Sequence, residues 1–599
     1  MLKQREKRFG IEILSDNSIN FNLWAPDAHE IKLCIKQPDN SFLELLMEKE
    51  KDGWFFINTN KAHAGSEYMF KLDTGLMVPD PCSKAQAEDV HGTSLVINPE
   101  NFDWGNDINW KGRAWEETVF YEIHTGTFTP EGTFNAIKEK LDYLVSLGIT
   151  AIELMPIGDF PGNRSWGYDG VLYFAPDRSY GTPDDLKELV KTAHEKGLSV
   201  FLDVVYNHFG PEGNYLYVYA KSKFFDCKHV TPWGDAINFE NRTVRDFFIQ
   251  NALFWLEEYR FDGLRLDAVH EIRDDSPINI LEELAITIKK RIKNRHIHLV
   301  LENDNNIAKF LEKNYVAQWN DDFHHCVHIQ ITGEKGGYYK DYTKELTSKT
   351  PAYFLARALA EGFSYQGEAS PYRDNTPRGE KSSHLKISSF INFIQNHDQV
   401  GNRAFGERIG VLASKNAIKA AACLYLICPN IPLLFMGEEW GCKTPFMFFC
   451  NLGKSLSDSV REGRRKEFSR FPEFADPRNR EKIPDPTLKS SFENSKLNWN
   501  EQDQEMAGFY KTLLKIRHDH IIPLISRIDH SKSTFAVMDE GFFKVKWFAD
   551  NGKTLEVIAN LSENKFEYDI KQDKNVLVKQ SATESQGEIT AWSVYWLLE

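Results

Sequence analysis

The stretch that most constrains the fold runs from Phe261 to His270 and reads Phe-Asp-Gly-Leu-Arg-Leu-Asp-Ala-Val-His. It opens with an Asp-Gly turn signal and continues as a short, mostly apolar run, which is typical of a buried strand. Arg265 and Asp267 interrupt this run two positions apart, and residues at that spacing on a strand share one face. Buried charges are costly unless they are paired. The stretch therefore indicates either a structural ion pair or a nucleophilic carboxylate held by a guanidinium at the carboxyl end of a barrel strand.

A regular alternation of strand and helix patterns surrounds this stretch over roughly 400 residues. One of the helices, at 183–196, begins with Thr182 as N-cap, Pro183 at its first position and Asp185 as a capping-box partner. Such an alternation predicts a (β/α)8 TIM barrel with loop insertions. A doubly wound open sheet is the alternative, but no Gly-x-Gly-x-x-Gly motif follows the first strand. The predicted strands are 118–124, 151–157, 199–208, 263–269, 298–302, 316–319, 388–395 and 431–436.

The regions on either side of the barrel have the short, turn-separated strand patterns of all-β domains. We predict an N-terminal β-sandwich of the carbohydrate-binding kind at 1–108, the catalytic barrel at 109–520, and a C-terminal β-sandwich at 521–599. The segment 453–500 is rich in Lys, Arg, Ser and Pro, and we interpret it as a solvated insertion loop with short helices.

Charge and cysteine content limit the possible partners and compartment. The net charge of −15, from 87 acidic and 72 basic residues, argues against general nucleic-acid binding and agrees with a neutral substrate. No apolar run reaches the roughly 18 residues of a membrane span, and the charged residues 1–8 lead into no apolar signal segment. The 8 cysteines form no Cys-x-x-Cys pair, so we expect reduced, buried thiols in a cytoplasmic protein.

Polar side chains gather where the predicted strands end. The third strand ends in the run 203–208, Asp-Val-Val-Tyr-Asn-His, and the seventh ends in Gln-Asn-His-Asp at 395–398. Asp267, Glu302 and Asp398 would then project into one cleft from three strands. Like charges this close raise each other's pKa, so that one carboxyl keeps a proton near neutrality while another stays ionised. Glycoside cleavage requires this division of labour.

Four of these segments resemble the signature regions of the α-amylase superfamily, in the same order. They are 203–208, 263–270, the strand ending at Glu302, and Asn-His-Asp at 396–398. The resemblance implies that Asp267 is the nucleophile and Glu302 the general acid/base. It also implies that Asp398 distorts the sugar and stabilises the transition state.

The same resemblance assigns roles to the neighbours of the carboxylates. Arg265 would keep the nucleophile ionised, while His208 and His397 hydrogen-bond the sugar in the cleaved subsite. Tyr168, in the motif Trp-Gly-Tyr-Asp at 166–169, would stack on that sugar.

Further segments are similar to the maltooligosyl trehalose trehalohydrolases. These are 90–94, 121–134, 156–162, 318–325, 437–441 and 444–449. Members of that family cut the α-1,4 bond next to a terminal trehalose. The resemblance implies an α-glucan oligosaccharide with a trehalose end as substrate, and functional coupling to a maltooligosyl trehalose synthase that makes this end. Within the matching segments we predict Asp322, His325, Glu439 and Trp440 as further substrate-binding residues.

Metal ligands and cofactors are not expected. Asn207 lies where calcium-dependent amylases often place a ligand, but the insertion after it lacks a carboxylate cage. The resemblance to the α-amylase superfamily implies that Asp203 and Asn207 are scaffold and not catalytic residues. His324, His325 and His328 are compatible with a metal site, but we interpret them as structural or sugar-binding residues.

Together with the three carboxylates, the resemblance implies a retaining hydrolase that releases trehalose from maltooligosyl trehalose. A 1,4-α-glucan branching enzyme is the alternative within the same fold, and it differs in letting a glucan hydroxyl resolve the intermediate instead of water. A catalytically silent glucan-binding protein is the alternative from another class. The presence of all three carboxylates, Asp267, Glu302 and Asp398, disfavours it.

Overall fold

The predicted strands of the central region close into one parallel barrel. The computed structural model describes residues 9–231, 233–469, 471–570, 575–581, 583 and 587–599, and the barrel within these ranges has eight strands. Phe120 on the first strand pairs with Leu433 on the last, which closes the barrel and confirms the (β/α)8 prediction. Residues 1–8, on which the signal-peptide expectation rests, lie outside the described residues. Barrel strands one to eight are Phe120–Ile123, Ala151–Leu154, Ser199–Val204, Gly263–Leu266, His298–Leu301, Ala317–Trp319, Phe390–Asn392 and Ile431–Phe435.

The inward-facing positions of the barrel change from apolar to charged along the strands. Near the amino ends, the rings of Phe120 and Phe201 pack edge to face with centroids 4.8 Å apart. Two residues further along the same strands, Glu122 and Asp203 occupy the same faces. Arg265 lies opposite Asp203 in the register of strands three and four. The alternation therefore brings charged side chains to the carboxyl end of the barrel, where enzymes of this fold carry their sites.

Helices connect the strands and cover the outside of the barrel. The helix predicted at 183–196 is present at Pro183–Glu195 with its capping box. Thr182 Oγ1 accepts the Asp185 N–H at 3.1 Å, and the Thr182 N–H donates to Asp185 Oδ2 at 2.8 Å. The longer helices are Pro183–Glu195, Arg242–Glu257, Ile280–Arg291, Asp321–Thr332, Pro351–Glu361, Lys415–Ile427, Lys454–Phe468 and Gln504–Ile516. Shorter helices are Thr125–Phe128, Phe134–Lys138, Leu141–Leu147, Leu216–Tyr219, Lys221–Phe224, Lys344–Thr347, His397–Gly401, Ile409–Leu412, Pro477–Arg480, Lys489–Glu493 and Ile522–Ile525.

The N-terminal region forms two facing antiparallel sheets, as its turn-separated strands predict. It docks against the helix Arg242–Glu257 of the barrel. The Phe9 ring meets the Phe247 ring edge to face at 5.3 Å, and Lys84 pairs with Glu258 at 2.7 Å. Its strands are Gly10–Ile13, Ile19–Trp24, Ile31–Lys36, Phe42–Leu46, Glu48–Lys49, Trp54–Thr59, Glu67–Leu72, Met77–Val78 and Ser94–Leu95.

Insertions after the barrel strands form hairpins and one long helix. The hairpin strands are Gly158–Asp159 with Leu172–Pro176, Phe225–Thr231 with Gly234–Ile237, and Glu368–Ser370 with Thr376–Arg378. In the segment 453–500 the expected short helices are present at Pro477–Arg480 and Lys489–Glu493. The expectation is corrected for Lys454–Phe468, which is a 15-residue helix, called here the insertion helix. Ion pairs at helical spacing, such as Arg461 with Asp458 at 2.7 Å, support a sequence that is otherwise poor in apolar residues.

The C-terminal region packs on the barrel through two tryptophans. Trp547 donates its Nε1–H to the Leu359 carbonyl at 3.1 Å, and Trp596 donates to the Cys423 carbonyl at 3.0 Å. Their rings stack with centroids 5.6 Å apart. In the described part of this region, a two-stranded sheet packs on the other face of a five-stranded sheet, in agreement with the predicted sandwich. The strands are Thr534–Val537, Phe542–Phe548, Thr554–Asn560, Phe566–Glu567, Val576–Gln580, Glu588–Ile589 and Ser593–Leu598.

The cysteines are free thiols, and all of them fall within the described ranges. Most are buried as predicted, but Cys227 is exposed on the hairpin that follows strand three, which corrects the expectation for that residue. Across the described ranges, no helix combines the length and the apolar character that crossing a membrane requires.

Truncation of Trp596 tests the packing of the C-terminal region. Because this fully buried ring packs on both Trp547 and the barrel, we expect Trp596→Ala to lower the free energy of unfolding by about 3–5 kcal/mol. Urea unfolding followed by tryptophan fluorescence measures the change. The half-exposed Val576 in the same sheet serves as control, and its change to alanine should stay within about 0.5 kcal/mol. Equal effects of the two substitutions would contradict the packing role.

Candidate active site

One buried guanidinium joins three carboxylates at the mouth of the barrel. Arg265 Nη1 donates to Asp267 Oδ1 at 2.8 Å and to Asp203 Oδ2 at 2.7 Å, and its Nη2 donates to Glu302 Oε2 at 2.7 Å. The guanidinium carbon lies 4.0 Å from the centre of the Trp319 ring, which covers one face of the group. Strands three, four and five therefore meet at a single cation that is 1% exposed.

Asp267 is held at both carboxylate oxygens. Its Oδ1 faces Arg265, and its Oδ2 accepts a hydrogen bond from Asn207 Nδ2 at 2.9 Å. Asn207 also donates to the Asp267 carbonyl at 3.0 Å, so it fixes the main chain as well. Asn207, which we expect to be scaffold, thus contacts the predicted nucleophile directly. A carboxylate fixed in this way is preorganised as a nucleophile.

Glu302 carries a raised pKa beside this carboxylate. Burial raises the pKa of Glu302, and the negative charge of Asp267 adds to the effect, while Arg265 opposes it. Glu302 Oε2 also accepts the N–H of Ala268 at 2.8 Å. Ala268 has φ 39° and ψ 48°, a left-handed conformation that costs a non-glycine residue on the order of 1 kcal/mol. The strained turn aims its N–H at Glu302, which is placed to hold a proton and deliver it.

Asp398 stands at the start of the short helix His397–Gly401, which follows strand seven. Burial raises the pKa of Asp398, and the charge of Glu302 contributes, while His397 opposes the shift. Asn402 Nδ2 donates to Asp398 Oδ1 at 2.5 Å. The three carboxylates predicted from the sequence thus lie around one cleft.

His397 and Tyr168 connect Glu122 to Asp203 through a chain of hydrogen bonds in the cleft. His397 Nδ1 lies 2.5 Å from Glu122 Oε1, and its Nε2 lies 2.9 Å from the Tyr168 hydroxyl. Tyr168 in turn donates to Asp203 Oδ2 at 2.6 Å, and its ring stacks on that of His397 at 5.2 Å. Burial lowers the pKa of His397, but Glu122 outweighs burial, and the net pKa is above the usual value. This pair of rings forms one wall of the cleft.

His208 lies in the same wall as a neutral imidazole. Burial lowers the pKa of His208 to about 4, and its Nε2 lies 3.0 Å from the Tyr168 carbonyl. The indole of Trp233 stacks on His208 with centroids 4.3 Å apart and is 47% exposed. Trp233 offers a flat apolar surface of the kind on which sugar rings stack. Sequence reasoning missed it because only the folding-back of the hairpin after strand three brings it to His208.

A polar and aromatic surface that sequence reasoning also missed lies on the other side of the carboxylates. The Tyr338 hydroxyl donates to Gln399 Oε1 at 3.3 Å, and Gln399 Nε2 donates to Asp321 Oδ1 at 3.3 Å. Burial raises the pKa of Asp321 well above its usual value, and the charge of Glu302 reinforces this. Tyr338 is 37% exposed and Tyr372 is 51% exposed, with perpendicular rings 6.4 Å apart.

Two of the predicted substrate-binding residues support this surface from behind. Asp322 is 1% exposed and accepts hydrogen bonds from Arg378 Nη1 at 2.8 Å and from the Ser364 N–H at 2.7 Å. His325 is 7% exposed, and its ring packs 4.7 Å from that of Tyr338. The expectation of direct substrate contact is corrected for Asp322, because its buried carboxylate is hydrogen-bonded to these internal partners.

The other two, Glu439 and Trp440, are not in the cleft. Glu439 is fully buried and accepts hydrogen bonds from the hydroxyls of Tyr121 at 3.0 Å and Tyr143 at 2.8 Å. Trp440 packs on the ring of Trp499 at 4.8 Å. Tyr143 belongs to a helix outside the barrel, so strand eight is followed by a turn that points outwards. The expectation that these two side chains bind substrate is therefore wrong.

Glu153 on strand two faces the inside of the barrel beneath the carboxylate cluster. Both of its carboxyl oxygens are buried, and neither has a hydrogen-bond partner among the described residues. Burial raises the pKa of Glu153 well above its usual value, and Asp203 and Glu122 add to the effect. Glu153 therefore holds its proton to a higher pH than an exposed glutamate does.

Within the described ranges, no group of three or more His, Cys, Asp or Glu side chains is placed to hold an ion. The histidines considered as possible ligands have internal partners. His324 Nδ1 lies 3.0 Å from the Ile394 carbonyl, and His328 Nε2 lies 2.7 Å from Glu334 Oε2.

Known protein families match two parts of the chain. The family described as "Alpha amylase, catalytic domain" matches residues 96–233 and 234–517. The family described as "Carbohydrate-binding module 48 (Isoamylase N-terminal domain)" matches residues 8–82.

Two individual relatives match most of the chain, and a third matches less than half of it. The chain is 42% identical over 517 residues to the malto-oligosyltrehalose trehalohydrolase of Saccharolobus solfataricus, covering 85% of this chain and 86% of that protein. It is 39% identical to the enzyme of that name from Deinococcus radiodurans, covering 83% and 81%. A 1,4-alpha-glucan branching enzyme from Geobacillus stearothermophilus is 31% identical but covers 44% of this chain and 45% of that protein.

Solved structures agree with this architecture. A crystal structure from Salmonella typhimurium, described as an alpha amylase, has a TM-score of 0.92 at 42% identity and covers 99% of this chain and 100% of that one. A pullulanase from Anoxybacillus sp. LM18-11 has a TM-score of 0.73 at 18% identity, covering 99% and 87%, which shows a shared fold.

The pH dependence of stability tests the raised pKa of Glu153. The folded protein keeps a proton that the unfolded chain releases above about pH 4.5, so Glu153 costs stability progressively as the pH rises towards its folded pKa. We expect Glu153→Gln to be more stable than the parent at pH 8 and to lose this advantage near pH 4.5. The difference should grow by about 1.4 kcal/mol for each pH unit between about pH 4.5 and the folded pKa of Glu153. Urea unfolding at several pH values measures it.

The exposed Glu131, changed to glutamine, is the matched control for this series. A stability difference between Glu153→Gln and the parent that is the same at every pH would contradict a raised pKa of Glu153.

Proposed function

The chain belongs to the malto-oligosyltrehalose trehalohydrolases of the α-amylase family, and from this premise we propose the reaction that its cleft catalyses. It is a retaining glycoside hydrolase that cleaves the α-1,4-glucosidic bond next to the terminal trehalose of maltooligosyl trehalose. The products are trehalose and a maltooligosaccharide. The observation that carries the proposal is the placement of Asp267 and Glu302 on the two ends of one guanidinium, at 2.8 and 2.7 Å.

In the first step a glycosyl-enzyme forms. The ionised Asp267 attacks the anomeric carbon while Glu302 gives its proton to the leaving glycosidic oxygen, so the trehalose leaves as a neutral alcohol. The raised pKa of Glu302 lets it hold its proton to a higher pH than an exposed glutamate does, and Arg265 stabilises the ionised form of the nucleophile. Two carboxyls held by one guanidinium suit the separation of about 5–5.5 Å that retention requires.

In the second step water resolves the intermediate. Glu302, now ionised, takes a proton from the water, whose oxygen bonds to the anomeric carbon and releases Asp267. Asp398 stands beside both groups, where it binds and distorts the sugar and stabilises the positive charge that develops at the anomeric centre. The glucan leaves with its anomeric configuration retained.

The walls of the cleft divide the binding of the two parts of the substrate. We assign the glucosyl residue that is attacked to the wall formed by Tyr168, His397 and His208, as the polar atoms there suit its hydroxyls. We assign the trehalose end to the other side, where Tyr338 and Tyr372 present exposed rings. Sugar recognition commonly combines such aromatic faces with a few polar groups.

The thiols and the substrate suggest a compartment and an upstream enzyme for this protein. We propose that the protein acts in the cytoplasm, where its free thiols remain reduced. A maltooligosyl trehalose synthase must supply the trehalose end before this enzyme releases it. A branching activity is the alternative, and its support is a relative that matches less than half of this chain.

A product assay on two substrates tests the reaction. Maltopentaosyl trehalose should yield free trehalose and maltopentaose, and maltoheptaose of matched length should be cleaved at least about tenfold more slowly, a difference worth about 1.4 kcal/mol in transition-state binding. Chromatography of the products measures both rates. Comparable cleavage of the two would contradict specificity for trehalose, and new α-1,6 linkages on a longer glucan would support the branching enzyme instead.

The role of Glu302 is tested with substrates that differ in leaving group. We expect Glu302→Gln to lower kcat/KM on maltopentaosyl trehalose by about 10²–10⁴-fold, because the amide has no acidic proton to transfer to the leaving oxygen. The loss in glycosyl-enzyme formation should be much smaller with a 4-nitrophenyl maltooligoside, whose phenolate leaves without protonation. Rapid-quench kinetics isolates that step, and the exposed Glu131 changed to glutamine is the control. Equal losses on both substrates would contradict the assignment.

A further inference from the structure

The insertion helix Lys454–Phe468 reaches back to the loop that carries Asp398. Its contact with that loop is the side chain of Arg464, which belongs to a segment that the sequence suggests is solvated. We propose that Arg464 is a positioning residue that fixes Asp398 through the amide of Asn402. This inference rests on the proposed function in so far as Asp398 takes part in the reaction.

Arg464 binds three consecutive residues of the loop. Its Nη2 donates to the carbonyl of Gly401 at 2.7 Å and to the carbonyl of Arg403 at 3.1 Å. Its Nη1 lies 3.4 Å from Asn402 Oδ1 and donates to it. One guanidinium thus spans the residues that directly follow the catalytic turn, which limits the motion of the main chain there.

The bond to Asn402 also decides which end of its amide faces Asp398. Asn402 Oδ1 is occupied as an acceptor of Arg464, so its Nδ2 is left to donate to Asp398 Oδ1 at 2.5 Å. A rotated amide would set its oxygen against the carboxylate of Asp398 and would lose both bonds. Arg464 therefore selects the orientation in which Asn402 supports Asp398.

The guanidinium is itself fixed from the helix side. Arg464 has a side chain 9% exposed, and its guanidinium carbon lies 4.7 Å from the Phe468 ring centre and 5.7 Å from that of Phe448. Phe448 in turn meets Trp166 edge to face at 5.1 Å, next to the cleft. Phe468 is the buried residue among those described in this helix, whose other side chains are at least partly exposed. The helix therefore meets the cleft mainly through Arg464, which contacts the rings of Phe468 and Phe448.

Arg464→Met tests the proposal, because methionine keeps the apolar packing and removes every donor. We expect kcat to fall about 10- to 100-fold with KM changed less than about threefold, since a displaced carboxylate affects the transition state more than ground-state binding. Arg464→Lys should restore part of kcat. The neighbouring Arg465, which is 30% exposed and pairs with Glu462, gives the matched control Arg465→Met, expected within about twofold of the parent.

A double-mutant cycle separates positioning from general loss of structure. If Arg464 acts through Asn402, the double variant Arg464→Met/Asn402→Ala should lose no more kcat than the more impaired single variant. Additive losses, a loss confined to KM, or an effect of Arg464→Met no larger than that of Arg465→Met would overturn the proposal. So would a kcat loss that disappears once the variants are compared at equal distance below their melting temperatures.

A crystal structure of Arg464→Met provides a readout that does not depend on activity. We expect the Asn402 side chain to have turned away from Asp398, and an unchanged contact would overturn the inference. Absence of trehalose release by the parent protein would instead count against the proposed function alone, since the geometric test of Arg464 stands without it.

Discussion

The site depends on one buried cation. Removing the Arg265 guanidinium from water is expensive, and the cost is offset only because Asp203, Asp267 and Glu302 surround it at 2.7–2.8 Å. Loss of one partner of such a buried pair typically costs about 3–5 kcal/mol, because the remaining charge is left without compensation. The same bonds that stabilise the mouth of the barrel therefore also fix the two carboxyls that perform the chemistry. Stability and preorganisation have a common origin here.

The barrel mouth holds more carboxyl groups than cations, and protonation of some carboxyls reduces the excess of negative charge. Arg265 and His397, whose pKa is raised by Glu122, face a larger number of acids, so ionisation of all these acids at once is unfavourable. Burial and mutual repulsion raise the pKa of Glu302, Asp398 and Glu153 for this reason. In Glu302 the resulting proton is useful, because the leaving glycosidic oxygen needs it. In Glu153 the carboxyl group has no hydrogen-bond partner among the described residues and stays buried beneath the site.

The loops add what the barrel strands do not supply. The strands provide the carboxylates and Arg265, whereas the hairpin after strand three brings Trp233 onto His208, and the loop region after strand six brings Tyr338 and Tyr372. The insertion helix after strand eight contributes Arg464 to the loop of Asp398. The reaction type thus resides in the barrel and the choice of substrate in the insertions, which is the division of roles expected for this fold.

The sequence by itself determined the features that arise from local pattern. Strand periodicity placed all eight barrel strands, and the spacing of Arg265 and Asp267 placed both on one face of strand four, as the structure confirms. Which loops return to the cleft depends instead on contacts between residues far apart in the chain. Trp233 meets His208 and Arg464 meets Asn402 only after the loops have packed, whereas Glu439 turns outwards to Tyr143 although it directly follows a barrel strand. A local pattern carries no information on these long-range choices, so only the tertiary structure decides them.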